Sequence, residues 1–269
     1  MDVVDRHIVV TGGAGGIGKA LAQRFAAEGA RAVVVADREL DGARAVAEGI
    51  GAGALAVGFD AGDESSVREL IATASEWGGA IDIFVSNAGI GGMGGGPEVP
   101  DDCWDEAWRV NVMAHVWASR ALLPEMLARG EGYLINTASA AGLLTQVSSL
   151  VYSVTKHAAV ALAEWLSIEY ADRGVRVSCI CPQGVRTPML ERGMQEAAAA
   201  AALSAGGLIE PEDVAEAVIT GIAEERFLIL PHENVAQFMA RKGTDPERWI
   251  RGMRRLVREA RAAAPGEGD

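Results

Sequence analysis

The chain has 269 residues, of which 49% are hydrophobic, 23% charged and 5% aromatic. That balance supplies a sizeable core and excludes a disordered, fibrous or disulfide-built protein. Lys and Arg number 24 against 37 Asp and Glu, a net charge of -13 with no unbroken basic run to offset it, which argues against nucleic acid as a partner.

Residues 7–11 are a short β-rich run that ends in Thr11-Gly12-Gly13-Ala14-Gly15-Gly16-Ile17-Gly18, after which Ala20, Leu21, Phe25 and Ala26 recur at helical spacing. This reads as strand, glycine loop, helix. Gly29 closes that helix, and 31–36 is a continuous Val-rich run, the pattern of a parallel strand covered on both faces. The alternation continues with helix 39–49, strand 55–59, helix 64–77 and strand 81–86. Past the glycine-rich 89–96, a long helical stretch spans 102–129, strand 132–137 follows, and helix 151–172 leads to strand 175–180. A less regular segment, 187–208, precedes Pro211-Glu212-Asp213, where proline suits the first helical turn and the acids suit its positive end. That helix reaches about 225, and 227–230 is the last strand. In the tail, 232–269, Trp249, Ile250, Met253, Leu256 and Val257 recur at roughly helical spacing, and its last residues are expected to fray.

Seven strands alternating with helices, without linker or repeat, predict one α/β domain over 1–269: a doubly wound, seven-stranded parallel sheet flanked by helices. Ligand sites of such folds lie outside the carboxyl ends of the strands. The uncharged stretch 133–155 carries Asn136, Thr137, Ser139, Thr145, Gln146, Ser148, Ser149 and Ser153, too polar for a span of roughly 20 apolar residues. The first six residues lack the pattern of a secretory signal. Of three cysteines, Cys179 and Cys181 alternate in an apolar run and read as reduced thiols, too few for a closed metal site. The expectation is a cytoplasmic protein with no membrane partner and no metal.

A glycine loop between strand and helix lets backbone approach a pyrophosphate, and the helix start offers free N–H groups. Such a loop can also be a plain tight turn. Asp37, 19 positions after Gly18 at the end of the second strand, stands near the spacing at which an acid accepts from the adenosine ribose hydroxyls. It would repel a 2′-phosphate by up to ~4 kcal/mol at about 4 Å and an effective dielectric of 20, which puts NAD ahead of NADP. Arg38 works against this, because a guanidinium can grip that phosphate.

Among only three tyrosines and three lysines, Tyr152 and Lys156 sit four apart, on one face of a helix. An ammonium about 4 Å from a phenol favours the phenolate by up to ~4 kcal/mol, so the pair can run acid/base chemistry near neutral pH. Ser139, just past a strand end, can bond a substrate oxygen. Asn111, a poor helix former inside a long helix, can hold a water through its amide. Singly, each of these has an ordinary reading as a surface contact, a turn or a cap.

Together, Thr11-Gly12-x-x-x-Gly16-x-Gly18, Asn87-Ala88-Gly89 after the fourth strand, Asn111, Ser139 and Tyr152-x-x-x-Lys156 resemble the short-chain dehydrogenase/reductase family in order and spacing, over about 5–231. The resemblance implies a Rossmann-fold oxidoreductase that interconverts a secondary alcohol and a ketone with a nicotinamide cofactor. By it, Tyr152 is the general acid/base, Lys156 lowers the Tyr152 pKa and binds the nicotinamide ribose, Ser139 orients the substrate oxygen, and Asn111 holds a water linking Lys156 to solvent. It also assigns the pyrophosphate to Gly12, Gly16, Ile17 and Gly18, the adenosine side to Asp37, Arg38, Asp60, Ala61, Asn87, Ala88 and Gly89, and the nicotinamide to Pro182, Val185 and Thr187. The family usually reads Pro-Gly where this chain has Pro182-Gln183-Gly184.

Substrate choice is expected from 187–210, with 143–149 and 91–96. These segments are poor in cations, Arg192 being the strong anion binder of the first, while Met189, Leu190, Met194, Leu203, Leu143, Leu144 and Val147 can line an apolar pocket. That favours a fairly apolar alcohol or ketone. An NADP-dependent carbonyl or acyl-thioester reductase, and a dinucleotide-binding regulator without turnover, are the competing readings. By analogy with the family, a homo-oligomer, dimer or tetramer, is expected. The tail can cover a neighbouring subunit or the active site.

Overall fold

The computed structural model describes residues 1–91, 94–193 and 207–263. The strands are β1 (His7–Thr11), β2 (Ala32–Asp37), β3 (Ala54–Gly58), β4 (Ile83–Ser86), β5 (Gly132–Thr137), β6 (Val175–Ile180), β7 (Gly184–Val185), β8 (Leu208–Ile209) and β9 (Leu228–Ile229). Seven of them form one sheet in the order β3-β2-β1-β4-β5-β6-β9, and every pairing is parallel. The remaining two, β7 and β8, pair only with each other.

Alternation along the strands assigns one row of side chains to each face of the sheet. The row Leu55, Val34, Val9, Phe84, Leu134, Val177 runs across six strands in register. It packs under α3 (Glu64–Gly78), α5 (Ala114–Arg129) and α7 (Leu150–Tyr170) through Leu70, Leu122, Ala159 and Leu166. The next row, with Val35, Val10, Val85 and Ile135, packs under α1 (Gly16–Ala27), α2 (Leu40–Ile50) and the helix Pro211–Ala223 through Leu21, Phe25, Val46 and Val218. Each such side chain is worth roughly 1.5–3 kcal/mol relative to exposure. Burial on both faces is why these strands lack polar alternation.

Caps follow the chemistry of their residues. The Asp63 carboxylate accepts from the Ser65 amide at the start of α3. Glu210 and Asp213 form a capping box with Pro211 in the first turn of the helix Pro211–Ala223. The expected long helix 102–129 is α4 (Asp101–Trp108) continuing into α5, but a π-turn, Arg109–Met113, interrupts it, with the Ala114 N–H donating to Arg109 O. Within the segment expected to be irregular, Pro188–Gly193 is a helix, α8. Residues 194–206 lie outside the described residues, and with them Met194 and Leu203.

Sheet order reverses between β1 and β4, since the chain winds from β1 toward β3 on one side and from β4 toward β9 on the other. Their carboxyl ends open a crevice at that point. The tail forms two helices, α10 (Glu233–Thr244) and α11 (Pro246–Ala263), counting Pro211–Ala223 as α9. It lies on its own chain: Val235, Phe238, Met239 and Trp249 pack with Leu143 and Leu144, and Lys242 Nζ donates to Leu143 O at 2.6 Å. Exposed Arg248, Arg251, Arg254, Arg255 and Arg258 gather on α11, a local basic density that the acidic total conceals. No helix among the described residues is long and apolar enough to cross a membrane.

Candidate active site

β1 ends in Thr11, whose hydroxyl donates to Val85 O and accepts from the Asn87 and Ala88 amides at 2.9 and 3.0 Å, while Asn87 Nδ2 donates to Thr11 O at 2.9 Å. The two strand ends at the reversal are thereby tied together. The chain then turns through Gly12 and Gly16, both in the left-handed region at φ +67° and +51°. A Cβ on Gly18 would stand 2.0 Å from Gly12 O, so only glycine lets helix and loop approach this closely. α1 begins after Gly15 with no side-chain cap and no acid in its first turn, and a Cβ on Gly15 would meet nothing within 4 Å. Its first N–H groups, Ile17 among them, therefore stand ready for an anion.

Asp37 is fixed at both oxygens, Oδ2 accepting from the Ala14 amide and Oδ1 from the Glu39 amide, each at 3.0 Å. Beside it Arg38, exposed, lines a cleft of about 390 Å³ with Asp60, Asp63, Glu106 and Arg109. Asp60 Oδ1 accepts from the Gly62 amide at 2.8 Å, and Ala61 is buried beneath.

Across the crevice, α7 places Tyr152 and Lys156 on one face. Lys156 is 3% exposed, donates to Thr137 O at 3.0 Å and stands 5.6 Å from the Tyr152 ring centroid. Burial pulls its pKa down to about 8. Burial also pushes the Tyr152 phenol up, and the neighbouring Ser139 hydroxyl pulls it the other way. The ammonium stands over the face of the ring, and burial is the largest influence on the phenol. Ser139 is buried just past β5, accepting from the Ala141 amide at 3.1 Å and donating to Pro182 O at 3.4 Å.

The model of the short chain dehydrogenase family matches residues 6–198. The 1-deoxy-11-beta-hydroxypentalenate dehydrogenase of Streptomyces exfoliatus is 38% identical over 242 residues, covering 87% of this chain and 86% of that relative. The chain belongs to the short-chain dehydrogenase/reductase family. A solved family structure from Burkholderia phymatum in complex with NAD has a TM-score of 0.83 at 30% identity, over 92% of this chain and 96% of that one. The 3-ketoacyl-(acyl-carrier-protein) reductase from Brucella melitensis complexed with NADH has 0.77 at 30%, over 85% and 96%. This short-chain dehydrogenase/reductase is thus an oxidoreductase that takes a nicotinamide dinucleotide, and the positive-φ glycines and uncapped α1 fit one.

The remaining family positions of this dehydrogenase/reductase fall around the same crevice. Pro182 and Val185 are buried, and Thr187 Oγ1 donates to Val185 O while accepting from the Leu190 amide, both at 3.3 Å. A Cβ on Gly16 would stand 2.9 Å from Thr187 Cγ2, so the glycine loop and the 182–187 segment meet over the crevice. Gly89 lies within reach of Asn111 Oδ1 and Lys156 Nζ, a Cβ there falling 3.2 and 3.4 Å from them. Asn111 is fully buried in the π-turn, and its amide is already engaged: Oδ1 accepts from the Ile90 amide, and Nδ2 donates to Ile90 O and Thr155 Oγ1.

Of the segments expected at the substrate side, Gly95 pairs with Ser149, its amide donating to Ser148 O at 3.0 Å, so two of them are joined. Gly92 and Met93 lie outside the described residues, as does the Arg192 side chain. Met189 stands beside Tyr152, both within 3.4 Å of a Cβ placed on Gly91. Leu143 and Leu144 pack with the tail. Of the three buried histidines, His7, His115 and His232, the sequence marks none, and the last two lie near the site. His115 Nδ1 contacts Ser86 Oγ at 2.7 Å, and burial with the Lys156 charge pulls its pKa down to about 3. His232 contacts the 182–187 segment. Neither belongs to a motif; the one signal was that this chain has only four histidines. Cys179 and Cys181 are free and buried, with sulfurs 3.8 Å apart.

Proposed function

We propose that this protein is an NAD-dependent dehydrogenase that interconverts a fairly apolar secondary alcohol and its ketone, with Tyr152 as general acid/base. The observation that carries the reading is the convergence of Tyr152, Ser139 and Lys156 beside the crevice at the sheet reversal, facing the glycine loop through Thr187. The bound nicotinamide supplies the hydride acceptor or donor. Tyr152 takes the hydroxyl proton of the alcohol, or gives one to the ketone oxygen, and Ser139 Oγ orients that oxygen. Burial alone opposes a phenolate, so ionisation rests on positive charge nearby. Lys156, with a pKa of about 8, keeps its charge at neutral pH, and its remaining N–H groups suit ribose hydroxyls.

Asp37 at the ribose position, the lack of a basic side chain in Gly13–Ala14–Gly15 and the NAD and NADH bound by two solved relatives support NAD. Arg38 beside Asp37 favours the second reading, an NADP-dependent reductase, which tighter binding of NADPH than NADH by nicotinamide fluorescence would select. The decisive experiment is a panel of secondary alcohols with NAD, run on wild type and Tyr152→Phe. The variant should lose roughly 10²–10⁴-fold in kcat and still bind NADH. Unreduced turnover would refute the mechanism, and sugar phosphates turned over well above hydrophobic ketones would refute the substrate class.

The stripe Val154, Ala158, Ala161, Trp165 and Ile168 runs along the outer face of α7, with Trp165 and Ile168 55% and 77% exposed. We propose that a second copy of the chain covers it. Light scattering should give a dimer or tetramer that Trp165→Glu dissociates, and a wild-type monomer would end the idea. The three free cysteines suit a reducing cytoplasm, which fractionation of the producing cells would test.

A further inference from the structure

The loop after β6 reads Pro182-Gln183-Gly184 where the family usually has Pro-Gly, and the Gln183 backbone N–H sits between buried Pro182 and buried Gly184. A buried N–H and C=O need partners. One ring meets the Gln183 N–H and the Gly184 C=O. His232, 4% exposed, accepts the Gln183 N–H at Nδ1, 3.2 Å away, and its Nε2 lies 3.2 Å from Gly184 O. A ring that accepts at Nδ1 and meets a carbonyl at Nε2 is the neutral imidazole with its proton on Nε2. The backbone of Gly207, directly before β8, is a further partner of the same ring.

These contacts lie at the base of everything that closes the nicotinamide side. Gly184–Val185 pairs with Leu208–Ile209, and two residues on, Thr187 touches the glycine loop. His232 is itself anchored as the cap residue of α10, its carbonyl accepting from the Val235 amide at 3.1 Å.

We propose that His232 is a positioning residue that clamps the Pro182–Thr187 loop to the start of β8 and so sets the affinity for the nicotinamide half of the cofactor. The proposal rests on reading the crevice as a dinucleotide site. Protonation would turn Nδ1 from acceptor into donor, facing another donor, and open the clamp. Burial holds the His232 pKa below its ordinary value; the charged group acting on it is Asp213 on α9, which opposes that shift.

The test compares wild type, His232→Leu, which keeps volume without either bond, and His232→Asn, which retains a polar atom near Nδ1. Two readouts are taken: NADH affinity by fluorescence, and amide exchange of 182–187 and 207–209 in the cofactor-free protein. Expected are a loss of about 10-fold in NADH affinity for Leu, a smaller loss for Asn, kcat within about 3-fold, and faster exchange in both segments. Wild-type affinity should also fall as the pH is taken into the acid range, a dependence absent from His232→Leu. Unchanged affinity and exchange in either folded variant overturn the clamp, and the Asn variant serves if Leu does not fold. Faster exchange in a protein whose wild type ignores NADH would uphold the clamp and overturn the dinucleotide reading.

Discussion

Where β1, β2 and α1 form one rim of the crevice, the chain is fixed by glycine backbone in close contact and by side chains of the first 87 residues: Thr11 and Asn87 tie strand to strand, Asp37 holds Ala14, and glycines let loop and helix touch. On the opposite rim, residues 182–190 depend on side chains sent from the last third of the chain, with His232 beneath the loop and Lys242 holding α6 (Ala141–Leu144), which follows Ser139. A rim closed by glycine backbone and neighbouring side chains suits a cofactor whose diphosphate never changes. A rim held by a few distant side chains can be altered residue by residue, which suits the side that selects substrate.

The same substitution on each rim tests this contrast most sharply. Gly18→Ala would drive a methyl to 2.0 Å from Gly12 O and 2.7 Å from Asn87 Nδ2, against backbone that cannot yield. Loss of at least about 100-fold in NADH affinity is expected, with destabilisation of roughly 1–3 kcal/mol. Gly91→Ala places its methyl 3.4 Å from Met189 Sδ and Tyr152 Cε2, ordinary contact with side chains. NADH affinity should stay within about 2-fold and the Tm should hold, while substrate KM shifts. Fluorescence titration and thermal melting read both, and equal damage from the two would erase the distinction between the rims.

The contrast also explains what the sequence disclosed. Backbone demands leave residue signatures: glycine at 12, 16 and 18, Val-rich strands, an acid closing β2, and a tyrosine and lysine one turn apart. All of these could be located before any coordinates, along with the seven-stranded sheet. The π-turn at Asn111 left no signature, because its residues keep ordinary helical composition. Two-residue strands such as β7 and β8 are too short for a period. His232 and Lys242 were illegible for another reason: their partners lie 49 and 99 residues away and are backbone atoms, which carry no side-chain identity to match. Nothing in the sequence told that the tail folds back on Leu143 and Leu144.

Between the rims lies Lys156, and its buried charge should register as a smaller, pH-dependent effect. Its folded pKa of about 8 lies below the ordinary 10.5, so the unfolded chain binds more protons between those values and stability must rise with pH across that window. Below about pH 8 both states are charged and the penalty is present in full, at most about 3 kcal/mol; above 10.5 it is gone. Lys156→Met removes this titration while ending turnover. Urea melts of the cofactor-free proteins at pH 7.5, 9 and 10 should therefore show wild type gaining on the variant as pH rises, other titrations cancelling in the difference. A gap independent of pH would mean that the ammonium is not desolvated beneath Tyr152, and the charge assigned to assist the phenol would then be screened by water.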